Sequence, residues 1–460
     1  MIYNDTIAAI STAPGVGGIG IIRVSGLDAV EIVDKVFKAA SKKTLQEAPS
    51  HTIHYGHILN KDGRVIDEVL VMLMKAPKTF TREDVVEINC HGGPVPLEAV
   101  LMEVIRNGAR LADSGEFTKR AFLNGRIDLA QVEAIMDIIE AKTEVSLSQA
   151  VNQLEGKLSK QIKEYQDMLI QIIARIEVSI DYPEYDEDEP LAEDFKDDIR
   201  ALNDKLKQLL ATADTGKMIR EGVKTAIVGQ PNVGKSSLLN ALLEENKAIV
   251  TDIPGTTRDI VEAYLNIEGM PFLLLDTAGI RETEDIVEKI GVERSKESIA
   301  QADVVLMLID SSRELDQEEI ALMNELKGRQ VIFVLNKTDL TPVITQEILK
   351  AYTGDQPIVS ISAMKQDGLN ELRQAMKNFI VNKGISIGQE ATISNQRQKQ
   401  SLVKAIESLD KVGDTIDMGM PEDCIAIDLH DAYGHLGNIV GEALKDEIIN
   451  ELFTRFCLGK

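Results

Sequence analysis

Gly229-Gln-Pro-Asn-Val-Gly-Lys-Ser236 lies between an apolar run at residues 223–228 and a helix-like segment at residues 235–243. Phosphates are bound by a concave run of backbone N–H groups. The two glycines allow that turn, and the following helix contributes its positive N-terminal end. Lys235 adds a positive charge and Ser236 a hydroxyl ligand for Mg²⁺. The stretch therefore predicts a strand, a phosphate-binding loop and a helix of a P-loop α/β domain.

A second segment indicates which base is bound. Asn336-Lys-Thr-Asp339 follows the apolar run at residues 331–335, and its last carboxylate can accept N–H bonds from both N1 and N2 of guanine. Adenine offers no such pair of donors. A charge-assisted contact contributes about 1.5–3 kcal/mol, so Asp339 can supply much of a preference for guanine.

Two further segments complete the pattern. Asp276-Thr-Ala-Gly279 follows the apolar run at residues 272–275 and offers a carboxylate for water-mediated Mg²⁺ binding and a glycine N–H for the γ-phosphate. Ser360-Ile-Ser-Ala363 suits recognition of guanine O6 through a backbone N–H, although Met364 stands where many GTPases have lysine. With four segments in this order, the sequence resembles the P-loop GTPases of the translation-factor type.

The composition limits what surrounds this module. The chain has 460 residues, 44% of them hydrophobic, which suggests about three domains. The absence of a long apolar run or an apolar leader favours a soluble cytoplasmic protein. Cys90, Cys424 and Cys457 are scattered and indicate neither a disulfide framework nor a zinc site.

The charge is strongly acidic. A net charge of −25 argues against a generally basic nucleic-acid binder, although a local basic patch stays open. Residues 181–190 contain six acids and two prolines, which favours a solvated connector over an acidic docking loop.

The flanking segments predict the other domains. Residues 130–180 and 396–457 have helical spacing of apolar residues, with Gly413 and Pro421 expected to interrupt the second block. The economical arrangement is one helical domain from two separated segments, with the GTPase domain, a parallel-dominated α/β sheet, inserted between them.

The first 120 residues predict a third fold. Short apolar segments at residues 6–10, 19–24, 69–74 and 85–88 alternate with turns and one helix near residues 96–107, which indicates α+β. The predicted domain boundaries are therefore 1–120, 121–218, 219–382 and 383–460. His51, His54 and His57 lack a carboxylate or cysteine complement, so solvated histidines are favoured over a metal site.

Six short strings, in their order around the GTPase segment, resemble the MnmE (TrmE) family of tRNA-modification GTPases. They are Asp5-Thr-Ile-Ala-Ala9, Arg23-Val-Ser-Gly26, Phe80-Thr-Arg-Glu-Asp84, His91-Gly-Gly-Pro94, Gly115-Glu-Phe-Thr-Lys-Arg-Ala-Phe-Leu-Asn124 and Phe456-Cys-Leu-Gly-Lys460.

The resemblance implies a GTPase that works with the flavoprotein MnmG (GidA) on the wobble uridine of certain tRNAs. The product carries a carboxymethylaminomethyl or aminomethyl group at C5. One carbon comes from a tetrahydrofolate derivative, 5-formyl or 5,10-methylene. The N-terminal domain is expected to bind that folate and to form a homodimer, with no membrane involved.

The resemblance also implies the folate contacts, which are Arg23, Glu87, Arg126 and Lys460. Glu87 can accept from the amino and ring N–H groups of a pterin, while arginine and lysine can bind its glutamate carboxylates. Cys457 matches the family's terminal cysteine, and two roles stay open for it: catalysis or packing as a buried thiol.

The hydrolytic step has its own implied residues. Ile280 stands where Ras-like enzymes place the glutamine that orients the attacking water. The resemblance makes Glu288 the candidate for that role; the alternative is that Glu288 is only an exposed acid of the switch region. Potassium replaces an arginine finger, with Asn232, Thr251, Ile253 and Thr256 as its ligands. Ser236 and Thr257 are the Mg²⁺ ligands, and Lys235 is grouped with the catalytic residues.

The complete set expected to contact GTP, GDP or the associated ions lies in five segments. They comprise Asn232, Val233, Gly234, Lys235, Ser236 and Ser237; Thr251, Asp252, Ile253, Pro254, Gly255, Thr256 and Thr257; Asp276, Thr277, Ala278 and Gly279; Asn336, Lys337 and Asp339; and Ser362 and Ala363.

Two other classes of function stay open from sequence. A ribosome-assembly GTPase shares the central motifs and predicts no folate affinity. A non-modifying folate-binding scaffold regulated by nucleotide predicts an activity that is unchanged without hydrolysis.

Overall fold

A computed structural model describes residues 4–41, 44–181, 195–245, 249–250, 263–275, 297–382, 391–442, 451–454, 456 and 459. The chain divides into two compact units, Met1–Met136 with Leu436–Lys460, and Asp137–His435. No helix within the described ranges is long and apolar enough to cross a membrane.

The first unit contains a seven-stranded sheet. Its strands are β1 (Ile7–Ile10), β2 (Gly20–Ser25), β3 (Phe37–Ala39), β4 (Thr52–Leu59), β5 (Val65–Met74), β6 (Val85–Cys90) and β7 (Arg110–Leu111). The order across the sheet is β3-β4-β5-β6-β2-β1-β7, and every pair is antiparallel except β1 with β7. The helices α1 (Ala29–Val36) and α2 (Pro94–Arg106) pack on this sheet around one apolar core.

This α+β architecture confirms the predicted fold class of the N-terminal segment. The four predicted strands and the predicted helix are present, whereas the sequence reading did not give α1, β3, β4 or β7. Helix α1 is only eight residues long and is rich in valine and isoleucine, which have a higher propensity for strands than for helices. Two more helices follow, α3 (Glu116–Leu123) and α4 (Leu129–Glu140).

The second unit contains long helices from both sides of the GTPase segment. They are α5 (Glu144–Leu154), α6 (Lys157–Asp181), α7 (Lys196–Ala211) and α8 (Ala213–Glu221) before it, and α13 (Gln396–Asp417) and α14 (Glu422–Val440) after it. Helices α7 and α13 pack together, and Asp410 accepts hydrogen bonds from Asn203 Nδ2 at 2.6 Å and Lys207 Nζ at 3.1 Å. One helical domain is therefore built from two separated segments, as predicted.

Gly413 does not interrupt the helix, contrary to the sequence prediction. Helix α13 continues to Asp417, and buried Leu409, Val412 and Ile416 hold this turn against the core. A glycine in a helix costs roughly 0.5–1 kcal/mol, which such packing offsets. Pro421, in contrast, lies between α13 and α14.

The inserted segment leaves and rejoins the helical domain at one place. The backbone N–H of Ile393 donates to Thr212 Oγ1 at 3.1 Å. A Cβ atom on Gly216 would lie 2.1 Å from the carbonyl oxygen of Ile393, so only glycine allows this approach.

The inserted segment forms a second seven-stranded sheet. Its strands are β8 (Val223–Val228), β9 (Ile249–Val250), β10 (Ala263–Ile267), β11 (Met270–Leu275), β12 (Val304–Asp310), β13 (Val331–Asn336) and β14 (Ile358–Ser360). In the order β14-β13-β12-β8-β11-β10-β9, the first five strands are parallel to one another, and β10 is antiparallel to both of its neighbours, β11 and β9.

The sheet has apolar clusters with helices on its faces, as parallel sheets require. The helices of this segment are α9 (Lys235–Glu245), α10 (Gln317–Glu325), α11 (Gln346–Thr353) and α12 (Leu369–Asn382). Ligands of such sheets bind at the carboxyl ends of the strands, where the predicted motifs lie.

Candidate functional site

The phosphate-binding loop follows β8, and its two glycines are fixed by close contacts. Gly229 has a φ of +147°, and a Cβ atom there would lie 2.5 Å from the carbonyl oxygen of Leu308. Gly234 has a φ of +101°, and its Cβ would lie 2.2 Å from Asn336 Nδ2. Any other residue at either position displaces a neighbouring strand end, so the loop geometry depends on both glycines.

Asn336 connects three of the predicted nucleotide-binding segments. Its Nδ2 donates to the carbonyl oxygen of Val233 in the phosphate loop at 2.7 Å, and its Oδ1 accepts from the backbone N–H of Ala363 at 3.0 Å. The side chain is buried. The motif predicted that Asn336 belongs to the site, but only the strand order β14-β13-β12-β8 reveals this bridging role.

Lys235 points back into the phosphate loop. Its Nζ donates to the carbonyl oxygens of Gly229 at 2.7 Å and Gln230 at 3.0 Å. Burial lowers the pKa of this ammonium group. Lys235 therefore holds both ends of the loop turn together with a single charged group.

Asp339, the predicted guanine-binding carboxylate, is held by the next segment. Its Oδ1 accepts from Ser362 Oγ at 2.7 Å, and the same oxygen of Ser362 accepts from the backbone N–H of Lys365 at 3.2 Å. The hydrogen bond from Ser362 lowers the pKa of Asp339, with smaller contributions from Lys365 and Lys337. The carboxylate is therefore charged near neutral pH and able to accept N–H bonds.

Asp310 is a site residue that the sequence reading missed. Its Oδ2 lies 2.6 Å from Lys337 Nζ, and its Oδ1 accepts from the backbone and side chain of Ser312 at 3.0 and 2.7 Å. Burial raises the pKa of Asp310, but the hydrogen bonds from Lys337 and Ser312 outweigh that effect and lower it. Its position at the carboxyl end of the apolar run 304–309 was the available signal.

The remaining predicted residues differ in what the structure describes. Asn232 is exposed with a φ of +62°, Ser236 and Ser237 are exposed, and Met364 is exposed after Ala363. The predicted positions outside the described residues are residues 251–257, Asp276, Thr277, Ala278, Gly279, Ile280, Glu288, Cys457 and Lys460.

A second group of predicted residues meets in the N-terminal unit. Arg23 and Glu87 are paired across β2 and β6, with Nε to Oε1 at 2.9 Å. The guanidinium of Arg23 lies 5.6 Å from the Phe80 ring centroid, and that of Arg126 lies 4.8 Å from it. Arg23 also donates to the carbonyl oxygen of Gly459 at 3.4 Å. Two of the four predicted folate contacts thus lie against one aromatic ring, and a third, Glu87, pairs with one of them.

A buried ion network lies behind this cluster. The fully buried Arg120 pairs with Asp5 at 2.8 Å, Glu83 at 3.2 Å and Glu116 at 3.0 Å. These residues come from three of the short strings that suggested the family. The strings were read as signatures only, and the structure shows that they meet in one charge network.

The histidines at positions 51 and 54 have hydrogen-bond partners of their own. His51 Nε2 lies 3.1 Å from the carbonyl oxygen of Lys78, and His54 Nε2 lies 2.8 Å from Thr52 Oγ1. Across the described ranges, no group of three or more histidine, cysteine or acidic residues is arranged to hold a metal.

Comparison with known proteins gives the same reading for the whole chain. A family model for the MnmE helical domain matches residues 129–457, and a model for the GTP-binding protein TrmE N-terminus matches residues 6–126. The chain is 51% identical over 457 residues to the tRNA modification GTPase MnmE of Listeria welshimeri, covering 99% of each chain. It is 48% identical over 458 residues to that of Bacillus subtilis, covering 99% of this chain and 100% of the relative.

Among solved structures, the G domain of the T. maritima FeoB iron transporter is 30% identical, and the match covers 34% of this chain and 98% of that one at a TM-score of 0.26. That TM-score is low, and the family assignment does not depend on it. Full-length relatives at about half identity, together with the matched family models, are decisive. The chain therefore belongs to the MnmE (TrmE) family of tRNA modification GTPases and is a GTP-hydrolysing enzyme.

Proposed function

We propose that this GTPase acts in the cytoplasm with an MnmG-type flavoprotein to add a carboxymethylaminomethyl or aminomethyl group at C5 of the wobble uridine in tRNA. A tetrahydrofolate derivative, 5-formyl or 5,10-methylene, supplies one carbon. GTP hydrolysis is stimulated by potassium and coupled to association of two G domains. The chain comprises the four segments 1–120, 121–218, 219–382 and 383–460.

The observation that carries the proposal is that Arg23 and Arg126 both lie against the Phe80 ring while Glu87 pairs with Arg23, in the same chain as the motifs of a guanine-nucleotide site. A carboxylate has about four acceptor positions, so Glu87 can accept from a pterin while it pairs with Arg23. The arginines suit the carboxylates of the glutamate tail. Gly459, which contacts Arg23, precedes Lys460 directly, which supports Lys460 as a further ligand. Cys457 is kept as a candidate for the carbon-transfer step.

The ion ligands proposed in the G domain are oxygen donors. Asn232 and Ser236 are exposed in the phosphate loop, and amide, carbonyl and hydroxyl oxygens fit Mg²⁺ and K⁺. Ser236 with Thr257 would hold Mg²⁺, while Asn232 with the 251–256 segment would hold K⁺. A potassium ion there supplies the positive charge that an arginine finger supplies in other GTPases. Glu288 would orient the attacking water.

The exposed side of the N-terminal sheet supports a homodimer. Ile53 and Tyr55 of β4 and Leu70 of β5 are 63%, 49% and 47% exposed, and the register places Tyr55 opposite Leu70 and Ile53 opposite Met72. Neighbouring apolar side chains on one exposed sheet face mark an interaction surface. We infer that a second copy of the chain covers this face.

The test is mass analysis of tRNA nucleosides from cells that lack the gene. We expect the C5-substituted wobble uridine to disappear and to return on complementation with the parental gene but not with Glu288→Ala. Retention of the nucleoside in the deletion strain would overturn the proposal. Its return with Glu288→Ala would favour a scaffold that does not need hydrolysis.

The same strains distinguish the proposed tRNA modification from the alternative function of a ribosome-assembly GTPase. That class predicts normal wobble uridine and a protein that does not bind folate. On the purified protein, Asn232→Ala is expected to abolish the potassium stimulation of GTP hydrolysis and to leave the rate in sodium unchanged. Full potassium stimulation in that variant would remove Asn232 from the proposed site.

A further inference from the structure

Arg82 adopts a backbone conformation that arginine rarely takes. Its φ is +61°, in the left-handed region, which is sterically unfavourable for a residue with a Cβ atom. Two hydrogen bonds hold the turn: Arg82 Nη1 donates to the carbonyl oxygen of Asn124 at 2.8 Å, and Asn124 Nδ2 donates to the carbonyl oxygen of Thr81 at 2.7 Å. The fold thus keeps a guanidinium fixed at the end of α3 where a glycine would be less strained.

A second guanidinium lies beside it. Arg126 lies over the Phe80 ring at 4.8 Å, and a Cβ atom on the preceding residue, Gly125, would lie 3.5 Å from Arg82 Nη1. Two effects lower the pKa of Arg126: the larger is partial desolvation of its guanidinium, and the smaller is repulsion from Arg82. Two like charges are therefore held close together on this side of Phe80.

Arg82 and Arg126 differ from the neighbouring arginines in whether a carboxylate pairs with them. Arg23 is neutralised by Glu87, and Arg120 by three carboxylates. Among the described residues, neither Arg82 nor Arg126 forms an ion pair with a carboxylate. Fixed guanidinium groups without an acidic partner fit a ligand that brings its own carboxylates, because the planar group binds a carboxylate in a bidentate manner.

We propose that Arg82 and Arg126 form a clamp for the γ-linked glutamate chain of the folate, so that the site prefers a polyglutamylated folate over the monoglutamate. The inference rests on the proposed folate site. Within that site Glu87 and Arg23 are half-buried, whereas Arg82 and Arg126 are exposed. The charges therefore extend outward from the pterin-binding end, in the direction that a chain of further glutamates would follow.

The test measures the dissociation constants of the full chain for 5-formyltetrahydrofolate with one and with three glutamates by titration calorimetry. We expect the triglutamate to bind about fivefold more tightly, which is the effect of one solvent-exposed charge pair. Arg82→Gln should reduce this ratio to about one, and 0.5 M sodium chloride should reduce it in the parental protein through screening.

Two variants make the result decisive. Arg82→Gly suits the left-handed backbone and should also lose the preference, which separates loss of charge from a disturbed turn. Arg64→Gln removes an exposed arginine from the β4–β5 turn of the same domain and should keep the fivefold ratio.

Equal binding of both folates by the parental protein, or an unchanged ratio in Arg82→Gln, overturns the clamp alone. Failure of the parental protein to bind either folate overturns the proposed folate site and the clamp with it.

Discussion

Asn336 shows at the scale of one residue how base recognition and phosphate binding are joined. One buried amide donates to the phosphate loop at Val233 and accepts from Ala363, which follows Ser362, the hydrogen-bond partner of the predicted guanine-binding residue Asp339. Only glycine fits at position 234, because Asn336 leaves no room there for a Cβ atom. Displacing this amide therefore disturbs both ends of the nucleotide site together.

We predict that Asn336→Ala weakens binding of GDP and GTP alike by about 1–3 kcal/mol, because a buried carbonyl and a buried N–H each lose their partner. The measurement is titration with a fluorescent GDP analogue. Asn324→Ala, at an exposed position of α10, is the matched control and should bind normally. A variant at Asn336 with parental affinity would show that the bridge is not needed.

The sequence predicted that the motifs meet at one edge of the sheet, because each motif directly follows a strand, but it did not predict Asp310. It was not sufficient for the contacts between motifs. The pairing of Lys337 with Asp310 and the bridge from Asn336 depend on β13 lying beside β12 and on β12 lying beside β8. That order is set by tertiary packing, which no local pattern reports.

At the scale of elements, the ion network around Arg120 joins three strand and helix ends in the N-terminal unit. Asp5 precedes β1, Glu83 precedes β6, and Glu116 lies in the first turn of α3. Burial raises the pKa of Glu116, but hydrogen bonds from Arg110, the Asp113 backbone and Arg120 outweigh burial and lower it. The network therefore stabilises the fold only while its carboxylates are charged.

We predict that Arg120→Met destabilises the N-terminal unit by about 3–5 kcal/mol at pH 7, because it removes the buried guanidinium that Glu83 and Glu116 share. Thermal unfolding measures the effect. Lys35→Met breaks an exposed pair with Glu31 in α1 of the same unit and should cost at most about 1 kcal/mol. Equal losses in the two variants would contradict a structural role for the network.

The pH dependence follows from the lowered pKa of Glu116. A carboxyl group with a lowered folded-state pKa contributes stability above its unfolded pKa of about 4.3 and loses it as the pH falls through the lower folded value. The difference between the parental protein and Arg120→Met should therefore shrink as the pH falls below about 4.

At the scale of the whole molecule, the GTPase segment behaves as an insertion into one helical domain. The sequence predicted this arrangement from helical patterns on both sides. It could not show that Thr212 and Gly216 contact Ile393, because these residues are separated by the whole GTPase segment. Gly413 was misread for a related reason, since its helix is maintained by packing against distant segments.

We predict that replacing residues 222–390 with a flexible linker of about eight residues leaves the helical domain folded. Helix α8 has nine residues, a length of about 14 Å that such a linker spans. Circular dichroism should show a helical protein with cooperative unfolding that binds no GTP. Removal of residues 196–390, which also deletes α7 and α8, should abolish cooperative unfolding. Loss of structure in the first variant would show that the G domain is required to hold the helices together.

The contact of Thr212 and Gly216 with Ile393 also bears on the history of the chain. A coding segment that enters a gene where two ends already touch lengthens one surface connection and leaves the host's packing intact. A single recombination event at such a point can therefore add a nucleotide-driven module to an existing helical protein without any intermediate that fails to fold. Glycine at position 216 suits such a junction, because the space that a Cβ atom would need is occupied by the returning backbone at Ile393.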